Sequence, residues 1–437
     1  MAGITTTDNV WQNWAGNQRA RSSVSRPISV PQVVAAVTEA AAAGTRVKPV
    51  GSGHSFTGIA RTDQLRMELN ALATPSRVDR DARLVTVPAG MTLRALNELL
   101  ATAGLALPNL GDIDAQTISG ALATGTHGTG ARYGCLATFV EALTLVTGTG
   151  EVITCSADEH PEVFAAARVG LGAVGVVVAV TLRCDEAFVL RAHERPAALP
   201  EVLAGLPDLI TGNDHFEFYW FPYTDRAQVK TNNRVPVSDQ PLHRLRGWLD
   251  DDFLSNTVFA GACRLGRQVP ALAPSISRIS ARALTERSYT ARSDRVFCTA
   301  RRVRFVEMEY ALPRAALGEA LSALRRIIDG LPFKVLFPVE VRFAAADDIW
   351  LSHGHGRESA YVAIHQYAGA PYEPYFRAFE KVAAGLEGRP HWGKLHYRDA
   401  ASLRAVYPRF DDFLRVRDTL DPHRVFANDY TERVLGA

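Results

Sequence analysis

Two glycine-rich loops constrain the fold of this chain more than any other feature. The first reads Pro49-Val-Gly-Ser-Gly-His-Ser-Phe56 and the second reads Ala123-Thr-Gly-Thr-His-Gly-Thr-Gly130. Glycines at this density let backbone N–H groups approach an anion closely, and the neighbouring hydroxyls add donors. Either loop alone is equally compatible with a tight turn. Neither is a Rossmann fingerprint or a P-loop, because Phe56 stands where the third glycine of G-x-G-x-x-G would fall and no G-K-[ST] occurs.

The composition is that of a globular chain and excludes disordered, coiled-coil and collagen-like proteins. Of 437 residues, 47% are apolar and 22% are charged, and the net charge of +2 shows no surplus of the kind that nucleic-acid binders carry. The five cysteines are scattered without a C-x-x-C, which favours a reducing compartment over a disulfide framework or a zinc ribbon. We therefore expect no nucleic-acid partner.

Membrane and export signals are absent from the pattern. The N-terminus has no apolar signal core, and the longest apolar stretch, residues 170–182, is shorter than the roughly 20 residues that span a bilayer. The sequence therefore predicts a cytoplasmic protein with no transmembrane segment, and peripheral association with a membrane stays open.

The hydrophobic periodicity predicts an α+β fold. In the first half it predicts helices over 31–44 and 92–103, a hairpin around 148–150 and a buried strand over 174–183. In the second half, strands and helices alternate in a way that predicts an antiparallel sheet with helices on one face. Those strands are predicted over 216–221, 302–311, 335–344 and 361–367, and the helices over 314–329 and 374–386.

Together the two loops resemble the FAD domain of the vanillyl-alcohol-oxidase (PCMH-type) flavoprotein family. Further matching stretches indicate its aldonolactone and alditol oxidoreductase branch: Asn13-Trp-Ala-Gly16, Leu107-Pro-Asn109, Leu171-Gly-Ala-Val-Gly-Val176, Glu340-Val-Arg342, Arg389-Pro-His-Trp-Gly-Lys394 and Asn428-Asp-Tyr430. The resemblance implies a PCMH-type FAD-binding domain over 1–185 and an α+β substrate (cap) domain over 186–395. It also implies a helical C-terminal segment over 396–437 that packs back on the FAD domain.

The resemblance implies FAD as the cofactor. The residues it assigns to FAD binding are Pro49, Val50, Gly51, Ser52, Gly53, His54, Ser55, Asp112, Thr117, Gly120, Thr124, Gly125, Thr126, His127, Val177 and His391. His54 falls on the position that many members bond covalently to the 8α-methyl of the flavin, and a neutral imidazole suits that addition. The alternative for His54 is a loop histidine that hydrogen-bonds to the backbone.

The resemblance also implies a substrate site with four catalytic residues, Lys394, Glu340, Arg342 and Asp112, and one further substrate contact, His365. Glu340 and Arg342 are two apart on a predicted strand and so face the same way, where they would either grip vicinal hydroxyls or form a structural salt bridge. Lys394 would lie beside flavin N1–C2=O and stabilise the charge of the reduced ring, unless it is a surface lysine. His365 falls on a substrate-contact position, unless it is only a structural histidine whose ring is hydrogen-bonded within the sheet. Asp112 stands where relatives often carry serine and would face the flavin or a substrate hydroxyl.

The implied reaction is oxidation of an aldono-1,4-lactone of the L-gulono, L-galactono or D-arabinono type. The carbinol hydride passes to flavin N5, and the hydroxyl proton passes to water or to Asp112, Glu340 or His365. The product is of the ascorbate type, and the electron acceptor is O2 or a cytochrome c-like carrier.

Three alternative functions stay open on sequence alone. One is an alditol oxidase of the same branch, which would use the same motifs on a polyol. Another is a non-catalytic partner-binding protein with an exposed aromatic patch at 216–221. The last is a metal-dependent lactonase, although our prediction is that no metal is bound. Its candidate ligands are His353, His355, His365, His391 and His396.

Overall fold

The computed structural model describes residues 4–236, 272–299 and 303–437, with side chains from residue 9 onward. The strands are β1 (Ile4–Gln12), β2 (Arg19–Ser25), β3 (Val47–Val50), β4 (Leu65–Glu68), β5 (Arg77–Asp79), β6 (Leu84–Pro88), β7 (Leu105–Ala106), β8 (Val140–Val146), β9 (Val152–Ser156), β10 (Val176–Arg183), β11 (Asp185–Glu186), β12 (Val189–Ala198), β13 (His215–Trp220), β14 (Arg226–Val235), β15 (Arg287–Arg292), β16 (Phe305–Pro313), β17 (Val339–Ala344), β18 (Ser359–Tyr367) and β19 (Arg389–Pro390). The helices are α1 (Val30–Ala42), α2 (Leu93–Thr102), α3 (Ile118–Ala123), α4 (Pro161–Ala167), α5 (Leu199–Ala204), α6 (Leu206–Thr211), α7 (Ala273–Ala283), α8 (Ser293–Phe297), α9 (Leu317–Gly330), α10 (Glu373–Gly385), α11 (Ala400–Arg404), α12 (Phe410–Leu420) and α13 (Asp429–Leu435).

The strong helix signals of the sequence are confirmed. The predicted helix over 92–103 is α2, and the Thr92 side chain caps it by accepting a hydrogen bond from the Ala95 N–H at 3.2 Å. The stretch 31–44 is α1, with Pro31 in its first turn, where a missing N–H costs nothing. The predicted hairpin is the β8–β9 pair.

Three smaller sheets are built from strands of the first half. A four-stranded sheet has the order β1-β2-β4-β3, a five-stranded sheet has the order β5-β6-β10-β8-β9, and β7 pairs with β11. The first glycine loop leaves the end of β3, and the second follows α3. The sheets therefore deliver both loops, and the segment before β10, to one region.

An eight-stranded antiparallel sheet forms from the later strands, in the order β15-β12-β14-β13-β17-β18-β16-β19. One face is apolar and packs on α9 and α10 in a single core cluster. Phe216, Phe218 and Trp220 lie in that cluster, each no more than 2% exposed. The α+β prediction and the helix-covered sheet are confirmed, whereas the exposed aromatic patch is wrong, because alternate residues of β13 point into the core.

Two second-half predictions differ from the structure in their limits. The strands predicted from residues 302 and 335 begin at Phe305 and Val339, respectively. Between residues 236 and 293, where the periodicity predicts no strand, residues 237–271 lie outside the described chain, and the rest contains α7 and the strand β15. The strand β15 lies at the edge of the sheet and has a polar sequence. It therefore lacks the apolar pattern from which a strand is predicted.

The C-terminal helices pack on the core that includes α2 and β6. Leu403, Phe410 and Val434 belong to the same buried cluster as Leu96 and Val85. The proposed domain limits at 185 and 395 stay predictions. Within the described ranges, no helix is both long enough and apolar enough to cross a bilayer.

Candidate active site and cofactor cavities

Two neighbouring cavities adjoin the glycine loops. We call the first, of about 350 Å³, the loop cavity; its walls come from residues 48–55, 116–124 and 170–177. We call the second, of about 560 Å³, the sheet cavity; it lies against the polar face of the eight-stranded sheet. His54, Ser55, Gln116 and Thr124 line both cavities. An elongated ligand can therefore occupy the two together, with its ends in different chemical surroundings.

The loop cavity has the backbone that a pyrophosphate group needs. Gly53 has a φ of +70°, a conformation that side chains rarely adopt. A Cβ on Gly51 would lie 2.3 Å from Thr117 Oγ1, so a side chain there would fill the space between the loop and α3. With the hydroxyls of Ser52 and Ser55, these residues fit the phosphates of FAD.

The structure brings together almost all of the residues predicted to bind the cofactor. The loop cavity is lined by Pro49, Val50, Gly51, Ser52, Gly53, His54, Ser55, Thr117, Gly120, Thr124 and Val177. The sheet cavity adds Asp112, Thr126, His127 and His391. Gly125 lines neither cavity: it turns the chain with a φ of +70°, and a Cβ there would lie 2.7 Å from the His353 ring.

His54 stands where the two cavities meet. Its ring stacks on Trp14, with centroids 5.8 Å apart. Burial, helped by the charge of Lys394 and opposed by Asp112, lowers the pKa of His54 below its ordinary value. A neutral imidazole keeps a lone pair on one ring nitrogen, which is the form that can attack an electrophilic carbon.

The sheet cavity is lined by the polar face of the sheet, opposite the helices. On β13 and β14, Glu217 lies directly across from Lys230, and on β17 it lies across from Arg342. Tyr219 lies across from Glu340 and donates a hydrogen bond to its Oε1 at 2.9 Å. The i, i+2 spacing of Glu340 and Arg342 therefore does place both side chains on the cavity wall, as the sequence predicted.

Arg342 forms ion pairs with three carboxylates. Its Nε donates to Glu217 Oε2 at 3.0 Å, its Nη2 is ion-paired with Glu340, and the same nitrogen lies 3.6 Å from Asp112 Oδ2. Burial raises the pKa of Glu340; Arg342 opposes this, and Asp112 and Glu217 add to it. The pair is thus both a salt bridge and part of the cavity wall.

Lys394 forms an ion pair with Glu307 of β16, and both side chains line the sheet cavity. Burial by itself would lower the pKa of Lys394, but Glu307 and Glu309 more than offset it, so the pKa is raised and the ammonium stays charged. Its Nζ also lies 5.2 Å from the centre of the Phe56 ring. Lys394 is therefore a cavity cation rather than a surface lysine.

His365 lies between two glutamates on the same wall. Its Nε2 is 3.5 Å from Glu307 Oε1 and 4.0 Å from Glu340 Oε2. Its Nδ1 is buried and makes no hydrogen bond to the described part of the chain. A ring that donates from Nε2 keeps an acceptor at Nδ1.

The predicted lactonase ligands do not converge. His355 bonds through Nδ1 to the Ile349 carbonyl at 3.1 Å, and His396 bonds through Nε2 to Tyr430 Oη at 2.9 Å. His353 Nε2 accepts the Trp392 N–H at 3.3 Å. In the described ranges, the one group with metal-ligand spacing is His127, Glu309 and His391, and it contains only one of the five.

Sequence reasoning missed several charged residues of the cavity. Glu217, Glu307 and Glu309 are each at most 5% exposed and line its wall. A signal was present, because each is a carboxylate inside an otherwise apolar strand, in FEFYWF and in FVEMEY. Buried charges are costly unless they are paired, so such positions indicate partners across the sheet.

Comparisons with known proteins agree with this architecture. The family model described as D-arabinono-1,4-lactone oxidase matches residues 180–434, and the model described as FAD binding domain matches residues 22–156. L-gulono-1,4-lactone dehydrogenase of Mycobacterium tuberculosis is 44% identical and covers 98% of this chain and 99% of its own. L-gulonolactone oxidase of Scyliorhinus torazame is 34% identical and covers 97% and 98%.

The solved structures agree on the fold. Cholesterol oxidase from B. sterolicum is 18% identical and superposes with a TM-score of 0.83 over 100% of both chains. The first family model spans more than half of this chain, and the second falls on the part that carries both glycine loops. The predicted family and its FAD cofactor are confirmed: the chain belongs to the D-arabinono-1,4-lactone oxidase family of FAD-dependent oxidoreductases.

Proposed function

We propose that this protein oxidises an aldono-1,4-lactone, of the L-gulono, L-galactono or D-arabinono type, at its C2 secondary alcohol. The carbon loses a hydride and the oxygen loses a proton, which leaves a 2-keto lactone that enolises to an ascorbate-type product. Bound FAD supplies the two-electron acceptor. The observation that carries the proposal is that His54 of the first glycine loop shares one cavity with Glu340, Arg342 and Lys394.

The chain's own residues bind and orient the substrate. Glu340 and Arg342 together offer a carboxylate acceptor and guanidinium donors at one place, which suits two adjacent hydroxyls. Lys394 provides a fixed positive charge beside Glu307 of β16. Such preorganised charge lowers barriers where negative charge develops.

His365 is our choice for the proton acceptor. It lines the cavity, and its Nε2 lies 3.5 Å from Glu307 and 4.0 Å from Glu340, so two carboxylates stand beside the imidazolium that forms when the ring takes up the hydroxyl proton. Asp112 is ion-paired with Arg342 at 3.6 Å, and Glu340 is paired with the same arginine. Both carboxylates are better suited to holding hydroxyls than to accepting a proton.

We further propose that His54 holds the flavin covalently. Denatured, acid-precipitated protein is then expected to stay yellow, because the bond outlasts the fold. The matched control is His54→Ala, whose colour should pass into the supernatant. Release of all colour from the wild type would overturn the covalent bond, while leaving FAD binding intact.

The lactone assignment is tested by turnover under defined acceptors. We expect the purified, FAD-loaded protein to oxidise L-gulono-, L-galactono- or D-arabinono-1,4-lactone, with O2 or cytochrome c as acceptor in aerobic and anaerobic runs. A matched alditol panel, with xylitol and sorbitol, distinguishes the sugar-alcohol alternative. Turnover of the alditols together with inert lactones would contradict the assignment.

A further inference from the structure

A row of charges alternating in sign crosses the wall of the sheet cavity from Arg342 to the sheet edge. Glu217 lies directly opposite both Arg342 and Lys230, and Glu194 lies directly opposite both Lys230 and Arg287. The strands in order are β17, β13, β14, β12 and the edge strand β15. All five side chains line the cavity. We call these five residues the charge row.

The members of the charge row form ion pairs with one another. Lys230 Nζ lies 3.5 Å from Glu217 Oε1, and Arg287 Nε and Nη2 donate to the two oxygens of Glu194 at 2.8 and 2.9 Å. Burial would lower the pKa of Lys230, but Glu217, Tyr289 and Glu194 together outweigh it and the pKa is raised. Burial would likewise raise the pKa of Glu217, but Lys230 and Arg342 outweigh it and the pKa is lowered.

Stability alone does not account for the charge row. A buried ion pair is worth about as much as the apolar side chains that could replace it, because desolvation offsets the attraction. The other face of the same sheet is filled with aromatic and aliphatic residues. A cavity wall that carries charges of alternating sign is instead suited to binding a ligand.

The alternation of sign indicates the chemistry of that ligand. An anion or a cation lying along the row would meet repulsion as often as attraction. A neutral chain of hydroxyls meets no such penalty, because each hydroxyl both donates and accepts, and bonds to ionised partners are the stronger ones. Gln228 adds a neutral amide beside the row: it lines the cavity, and its Nε2 donates to Glu194 Oε2 at 3.0 Å.

The row reaches well beyond the residues assigned to the reacting hydroxyls. Gln228 and Lys230 lie on β14, two strands from Glu340 and Arg342 on β17, a distance of roughly 10 Å at the usual strand spacing. We propose that Gln228, Lys230 and Glu194 form a distal subsite that binds the hydroxylated arm of the substrate beyond its lactone ring. This inference rests on the proposed function and names its substrate class: lactones with a polyhydroxylated arm.

Substrate truncation tests the distal subsite. L-gulono-1,4-lactone carries a dihydroxyethyl arm, and a tetrono-1,4-lactone of matched C2 and C3 configuration carries none. In Lys230→Met each carboxylate of the row keeps an arginine, so the fold should persist. We expect this variant to lower kcat/KM for the armed lactone at least about 10-fold more than for the armless one.

A second variant and a control complete the design. Gln228→Leu removes no charge, so it should not cause a folding defect. It should lower the ratio of kcat/KM for the armed lactone to kcat/KM for the armless one, as Lys230→Met does. Lys381→Met, on the exposed face of α10, should leave the ratio unchanged. Equal losses on both lactones, or an unaltered ratio in both variants, would overturn the subsite. A wild-type enzyme inert towards every lactone would overturn the proposed function itself, and the subsite with it.

Discussion

Lys394→Met is expected to lower kcat for lactone oxidation about 100-fold while FAD stays bound. In the described residues, the other cations that line the sheet cavity, Lys230, Arg287 and Arg342, all stand in the charge row. Lys394 alone lies apart from the row, on the wall formed with Glu307. In the role we propose for Lys394, its loss removes the positive charge that offsets the electrons entering the flavin. The rate of flavin reduction, measured by anaerobic stopped flow, and the midpoint potential of the flavin should both fall.

The control separates a missing cation from a stranded anion. Lys394 and His365 hold the pKa of Glu307 below its ordinary value against the effect of burial, so Lys394→Met leaves that carboxylate with fewer partners. The double variant Lys394→Met with Glu307→Gln removes both charges. If the stranded carboxylate causes the defect, the double variant recovers; if the missing cation causes it, the double variant stays slow. A single variant with a rate within about twofold of wild type would refute the role.

The elements of the fold that can be predicted from the sequence are those that depend on a few neighbouring residues. The cap Thr92, the proline at the start of α1 and the turn between β8 and β9 each act within a few residues, so periodicity and capping rules locate them. The strand β15 follows no such rule. Its residues Arg287–Arg292 alternate weakly and pair with β12, which is almost one hundred residues away. Only the completed sheet makes it a strand.

The candidate site divides in the same way. The glycine loops and the Glu340–Arg342 spacing are local patterns, and the structure brings these residues to the cavities. Glu217 meets Arg342 only through the register of β13 with β17, 125 residues apart, and Glu307 meets Lys394 across 87 residues. Register depends on the whole hydrophobic pattern of a sheet rather than on one segment. The sequence therefore showed buried carboxylates without showing their partners.

Arg342→Ala is expected to lower kcat/KM about 1000-fold, and it should also cost about 3 kcal/mol of unfolding free energy, because two buried carboxylates lose their shared counter-ion. FAD should stay bound, since the ion-pair partners of Arg342, which are Asp112, Glu217 and Glu340, do not line the loop cavity. Loss of FAD would point to a structural pair instead. Arg168→Ala is the matched control: it removes another buried arginine, paired with Asp348 outside both cavities, and should leave KM unchanged.

The pH dependence of this variant gives an independent check. Burial already raises the pKa of Glu340, and Arg342 opposes that rise, so the variant should raise it further. A carboxyl whose folded pKa exceeds its unfolded one binds more protons when folded, so the variant loses stability relative to wild type as the pH rises from about 4.5 through the raised pKa. Added guanidinium at neutral pH should restore part of the turnover if the missing cation is the cause. Two results together would show that Arg342 acts through packing and not through charge: a loss of stability that does not change with pH, and a turnover that guanidinium does not restore.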